Sequence, residues 1–146
     1  MKKILLVFCF MFLIVSTPAF AKTLPDENAA KDLSAKIMAK VVKGDLSAAF
    51  KMMKPYTFIG PAEIDAIIIQ SKASREKSGQ KNGKPIGYEF IDSKKAGDSL
   101  LRFRYVEKNE KNILFWEFYF YKTNEGWTLD SFNWSEAYRP LFDGSK

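Results

Sequence analysis

Residues 113–134 crowd nine aromatic side chains (Phe115, Trp116, Phe118, Tyr119, Phe120, Tyr121, Trp127, Phe132 and Trp134) into two runs separated by Lys122-Thr123-Asn124-Glu125-Gly126. Aromatic-rich runs around a short turn containing Asn and Gly read as a β-hairpin. Two strands alone would leave far more apolar surface in water than an isolated hairpin tolerates. The rest of the chain must therefore provide a cover.

Part of that cover is more sheet. From Ile86 the hydrophobic period is two: Ile86, Tyr88 and Phe90 alternate with Gly87, Glu89 and Ile91, residues 94–98 read as a turn, and Leu101, Phe103 and Tyr105 alternate with Arg102, Arg104 and Val106. Residues 107–112 are all charged or polar and read as the next turn. Centring that turn between Glu110 and Lys111 sets Leu101, Phe103 and Tyr105 across from Phe120, Phe118 and Trp116. The same register sets Arg104 opposite Glu117 and Arg102 opposite Tyr119 on the other face. One face is then an aromatic floor, and the other, with Phe115, Glu117, Tyr119 and Tyr121, is amphipathic and holds an Arg104–Glu117 pair. Whether Trp127 or Trp134 joins the floor depends on the turn around Asn124, and a one-residue slip exchanges them.

The remainder of the cover is helical. Residues 25–43 place Ala29 or Ala30, Leu33, Ile37 and Val41 on one helical face, and Gly44 is positioned to end that helix. Asp45 is an N-cap for a shorter helix through Leu46, Ala49, Phe50 and Met53, stopped before Pro55. Pro61 opens a third helix that buries Ile64, Ile67, Ile68 and Ser71, with Glu63 and Asp65 at its start and Lys72, Arg75 and Lys77 near its end, as the helix dipole favours. Residues 78–85 read as a glycine-rich loop, residues 136–146 as a frayed tail, and the lysines at 36, 40, 43, 51 and 54 as the solvated faces of helices. The expected class is α+β: about three N-terminal helices packed on one face of a curved, four-stranded antiparallel sheet, an α+β roll.

Ahead of this domain, Lys2 and Lys3, the apolar run 4–15 and Ala19-Phe20-Ala21 form the pattern of a secretory signal peptide cleaved after Ala21. Residues 1–21 are thus read as leader and 22–146 as one domain, periplasmic or secreted, with no stable membrane span after cleavage. Cys9 lies inside the leader, with Phe8 before it where a lipobox needs a small residue, so the mature chain has no cysteine and is held by packing alone. Loss of Lys2 and Lys3 lowers the net charge from +6 to +4, a mild excess that permits an anionic partner without demanding one. No nucleic-acid partner is expected, because Glu117 lies near Arg102 and Arg104 and an exported protein rarely meets nucleic acid. The chain has no histidine, which excludes Ser-His-Asp and Cys-His catalysis and histidine-bearing zinc sites. No metal site and no cofactor motif is read, since the glycines of 78–85 lack the strand-turn-helix setting of a phosphate loop.

The helix ending in Lys43-Gly44-Asp45, the next one opening Asp45-Leu46-Ser47-Ala48-Ala49-Phe50, and the hairpin Trp116-Glu117-Phe118-Tyr119-Phe120-Tyr121-Lys122 with Glu125-Gly126-Trp127-Thr128-Leu129 together resemble the NTF2-like, or cystatin-like cone, superfamily. The resemblance covers most of the mature chain. It implies a curved sheet wrapped on a helix, a pocket opening at the wide end, and often a dimer through the exposed sheet face. It implies no single function, because members include isomerases, dehydratases and transport factors.

Three functional readings follow. The first is a non-enzymatic binding domain, with a small apolar or amphipathic ligand held between helices and floor by Tyr88, Tyr105, Trp116, Phe118 and Trp127. The second is an interaction module that forms a homodimer or meets an exported protein, as an inhibitor or immunity protein does, through Arg102, Arg104, Phe115, Glu117, Tyr119 and Tyr121. The third, least favoured, is an isomerase-like enzyme with Asp130, Glu117 or Glu89 as base and Tyr88, Tyr105 or Tyr119 as hydrogen-bond donor to an oxyanion. Strand carboxylates ordinarily face water and strand tyrosines ordinarily pack, so no catalytic residue is assigned.

Overall fold

The structure, a computed structural model, describes residues 21–142. The proposed leader, apart from Ala21, lies outside the described residues. Three helices come first: α1 (Glu27–Val41), α2 (Leu46–Lys51) and α3 (Pro61–Asn82). Four strands follow, β1 (Pro85–Ala96), β2 (Leu100–Asn109), β3 (Ile113–Thr123) and β4 (Gly126–Ser135), in an antiparallel sheet ordered β1-β2-β3-β4. The α+β architecture is the expected one.

Local chemistry starts and stops the helices. The Asp26 side chain accepts from the Ala29 amide at 2.8 Å and the Asp45 side chain from the Ala48 amide at 3.0 Å, so α1 and α2 both carry an aspartate N-cap. Ala30, Leu33, Ser34, Ile37, Met38 and Val41 form the buried face of α1, and Leu46, Ala49 and Phe50 that of α2. Gly44, at φ 78°, supplies the left-handed turn between them.

The third helix departs from expectation. It continues to Asn82, more than one turn into the segment read as a loop, and Gly83 at φ 75° ends it. Its inward stripe, Ile64-Ile68-Ser71-Arg75-Ser78-Asn82, keeps helical spacing while changing from apolar to polar. Hydrophobic periodicity follows only the first half of such a stripe, so the second half was legible only as polar chain. Hydrogen bonds from Glu110 N to Lys84 O and Lys111 N to Asn82 O fasten the end of α3 to the β2–β3 turn.

The β2–β3 register matches the expected one at every named pair: Leu101 with Phe120, Arg102 with Tyr119, Phe103 with Phe118, Arg104 with Glu117 and Tyr105 with Trp116. The turn is shorter than expected, however, because β2 runs on to Asn109 and takes Glu107 onto the floor side. On the far side of β3 a bulge leaves Asp130 unpaired between Leu129 and Ser131. This extra residue resolves the parity conflict of the two tryptophans. Leu129 and Trp127 keep one frame, Phe132 and Trp134 keep the other, and all four pack against the helical core.

Leu24 bridges Trp127, with Leu24 N to Trp127 O and Trp127 N to Leu24 O both 2.8 Å, and Thr57 bridges Leu129. The Leu24 carbonyl lies so near Gly126 that a Cβ there would sit 2.5 Å from it, which accounts for glycine at this end of the hairpin.

The tail is not frayed over its described length. After β4 it returns across the second sheet face through a short 3-10 turn (Arg139–Leu141), and Arg104 Nη1 donates to the Pro140 carbonyl at 3.0 Å. Val106 and Phe115 are only 8% and 3% exposed although they lie outside the main core cluster.

Candidate functional site

Four of the five residues read as pocket lining, Tyr88, Tyr105, Trp116 and Phe118, are brought together and pack on one another, whereas Trp127 lies at the hairpin end, opposite Lys122 and bridged to Leu24. Trp116 and Phe118 stack with centroids 6.1 Å apart, Tyr105 meets Phe118 edge-on at 5.9 Å, and Tyr88 lies 6.1 Å from Tyr105. Phe50 of α2 closes on Trp116 at 6.3 Å. Tyr105, Trp116, Phe118 and Trp127 are buried and Tyr88 is half-buried. None of the five lines any of the three cavities described below. The Tyr105 hydroxyl donates to the Lys31 carbonyl at 3.4 Å, and burial raises its pKa above the ordinary tyrosine range.

Beside this floor lies a group that sequence reasoning missed. Glu107 is 0% exposed. Its two carboxylate oxygens hold the Arg75 guanidinium in a bidentate pair, and Oε2 also accepts from Trp116 Nε1 at 2.9 Å. Arg75 in turn lies 5.8 Å over the Trp134 ring. The charged and polar run 107–112 reads as a turn. The missed clue was parity, since 103, 105, 107 and 109 continue the inward alternation. Next to this pair a cavity of about 190 Å³ opens between the last turns of α3 and the sheet, lined by Arg75, Ser78, Asn82, Asn109, Leu114 and Trp134 among others.

The outer face divides the six interface candidates. Arg104, Phe115 and Glu117 are buried, whereas Arg102 and Tyr119 are half-buried and Tyr121 is exposed. Arg104 lies opposite Glu117 as expected, but its guanidinium forks Asp92 instead, with Arg104 Nε to Asp92 Oδ1 at 2.7 Å. A second bulge explains the exchange. Ile91 is skipped between Phe90 and Asp92, so Asp92, which would point inward in a regular strand, turns outward opposite Arg104. Glu117 accepts from Asn133 Nδ2 at 3.1 Å and lies 4.0 Å from Arg102.

Beyond the tail, a groove of about 300 Å³ crosses this face. It is lined by Lys94, Ala96, Leu100, Arg102, Tyr119 and Ser131, with Asp130 at its side. A third cavity, about 420 Å³, lies against the start of α1 and is lined by Asp32, Lys36, Met52 and Tyr56 among others.

The isomerase-like candidates are occupied or solvated. Glu117 is bound as described, the Asp130 carboxylate accepts from the Ser131 hydroxyl at 3.2 Å, and Glu89 is exposed 3.9 Å from Lys108. Among the described residues no group of three or more acidic, cysteine or histidine side chains gathers to hold a metal, and no helix is long and apolar enough to cross a membrane.

The outer network sets a pH dependence. The hydrogen bond from Arg104 holds the Asp92 carboxyl below the usual carboxylate range, against an opposing effect of burial. A depressed pKa contributes stability above the unfolded value, about 4, that is lost as pH falls through the folded one. Burial raises Tyr105, and burial followed by the bond to Glu117 raises Tyr119. Their contribution is complete below about pH 10 and is lost as pH rises further. Melting temperature is therefore expected to be level from about pH 5 to 9 and to fall on both sides. Asp92→Asn should flatten the acid limb in a thermal melt series, and an acid limb of undiminished slope would remove Asp92 from this account.

No family model matches the chain, and no curated protein matches it. Among solved structures, a crystal structure from Campylobacter jejuni described as an NTF2-like transpeptidase is similar at 14% identity and a TM-score of 0.48, covering 70% of this chain and 97% of that one.

Proposed function

We propose that the chain is an exported, non-catalytic binding domain of the NTF2-like kind, and that it works through the uncovered half of its outer sheet face. The leader pattern at residues 1–21 supports export. The packing of Tyr105, Trp116 and Phe118 supports a floor that serves as core, leaving the binding role to another surface.

The observation that carries the reading is the groove beside the tail. Leu100 lines it at 50% exposed, with its cross-strand partner Tyr121 at 45%, next to the half-buried Arg102, whose Nε has no hydrogen-bond partner. Exposed aromatic and aliphatic groups around a guanidinium have the composition of a protein interface. The occupant this chemistry fits is an extended segment of a partner protein that places a carboxylate on Arg102 and Lys94 and an aliphatic side chain on Leu100 and Ala96.

Selection of displayed random peptides on the purified protein tests this. The expected winners pair an acidic residue with a neighbouring aliphatic one and lose about tenfold or more in affinity on Arg102→Ala. Winners without an acidic residue, or indifferent to Arg102→Ala, would reject the groove. Sedimentation velocity on the same sample reports the homodimer alternative, in which a second copy occupies this face.

A further inference from the structure

A different site emerges at the end of α3. We propose that the cavity between the last turns of α3 and the sheet binds a small planar carboxamide or lactam. The first observation is Asn109. It is 9% exposed and lines the cavity, yet its Nδ2 has no hydrogen-bond partner. An unmatched buried donor is costly, and a well-packed protein ordinarily either pairs such a group or replaces it with an apolar one. The amide torsion of asparagine is soft, so a small rotation presents Nδ2 to an oxygen in the cavity.

The surrounding groups define the ligand. Arg75 is pinned by both oxygens of Glu107, which is itself fixed by the Trp116 indole, so the guanidinium is held in place and keeps further N–H donors. Asn109 and Arg75 therefore call for an acceptor oxygen. Ser78 Oγ and Asn82 Oδ1, the latter already accepting from Asn112 Nδ2 at 3.2 Å, offer lone pairs to an N–H. Donors and acceptors side by side match an amide, which carries both, better than a carboxylate, which only accepts.

Charge points the same way. Arg75 is the charged side chain among the residues that line the cavity, and its cation is balanced by Glu107, so the lining offers an anion no uncompensated positive charge. Trp134 and Leu114 supply flat apolar wall for a ring. At about 190 Å³ the space falls below that of drug-sized sites and suits a single substituted ring.

The test compares benzamide with benzoate, nearly isosteric but anionic, by NMR titration of the purified protein. Benzamide is expected to shift the side-chain amide of Asn109 and the Trp134 indole resonance, with benzoate about tenfold weaker or worse. Asn109→Leu should abolish the benzamide response while leaving the melting temperature unchanged or higher, because it removes an unmatched polar group. A structural role for Asn109 predicts the opposite, a clear drop in melting temperature. Absence of a benzamide shift at about 20 mM, equal or tighter binding of benzoate, or a response that persists in Asn109→Leu would each overturn the proposal.

Discussion

Replacing Glu107 with leucine is expected to destabilise the fold by about 3–5 kcal/mol, the usual result of removing one partner from a buried ion pair. The variant leaves the Arg75 guanidinium mostly buried without its carboxylate and the Trp116 indole N–H without its acceptor. For a domain of this size the loss corresponds to a fall in melting temperature of roughly 10 °C or more. The double variant Arg75→Met with Glu107→Leu should recover much of it, since apolar groups of similar volume replace a buried pair at little or no penalty. Urea unfolding of the two variants decides the matter. A loss below about 1 kcal/mol for Glu107→Leu would show that solvent reaches the pair freely.

Deleting Asp130 should be at least as damaging. Without the unpaired residue β4 has one frame instead of two. Either Trp127 and Leu129 or Phe132 and Trp134 must then turn away from the core. Exposing two large apolar side chains costs about 3–6 kcal/mol from transfer alone, before any rearrangement of the Leu24 bridge to Trp127. The expected outcome is loss of a cooperative melt. Asp130→Ala, which keeps the residue count at an exposed position, should lie within about 0.5 kcal/mol of the parent. A deletion variant that melts like the parent would mean that the bulge migrates and is not needed to reconcile the two frames.

These variants also mark where sequence reading succeeded and where it stopped. The β2–β3 register was legible because aromatic residues alternate on both strands and only one alignment buries both sets. The helix starts at Asp45, an N-cap, and Pro61, a first-turn proline, were legible because their chemistry is local. Bulges leave no composition signal. The bulge at Asp130 showed only as a conflict between Trp127 and Trp134, and the one at Ile91 not at all, so Asp92 was missed as the partner of Arg104. Buried charge was hidden for a different reason. Glu107 and Arg75 lie far apart in sequence, and each alone resembles a surface residue until the fold opposes them. Neither the Asn109 cavity nor the return of the tail over Arg104 can be inferred from local pattern, because both depend on where the end of a segment lands.

The bulges have a consequence for how copies of this protein meet. An open four-stranded sheet has two borders whose free N–H and C=O groups invite another strand to add on. Along β1 that border is broken twice, at Ile86 and at Ile91, and along β4 it is occupied by Leu24 and Thr57 and bent at Asp130. Neither border offers a long straight ladder. Polymerisation strand upon strand, the hazard of an aromatic-rich sheet at high concentration, is thereby obstructed on both sides, and encounters between copies are left to the sheet's faces.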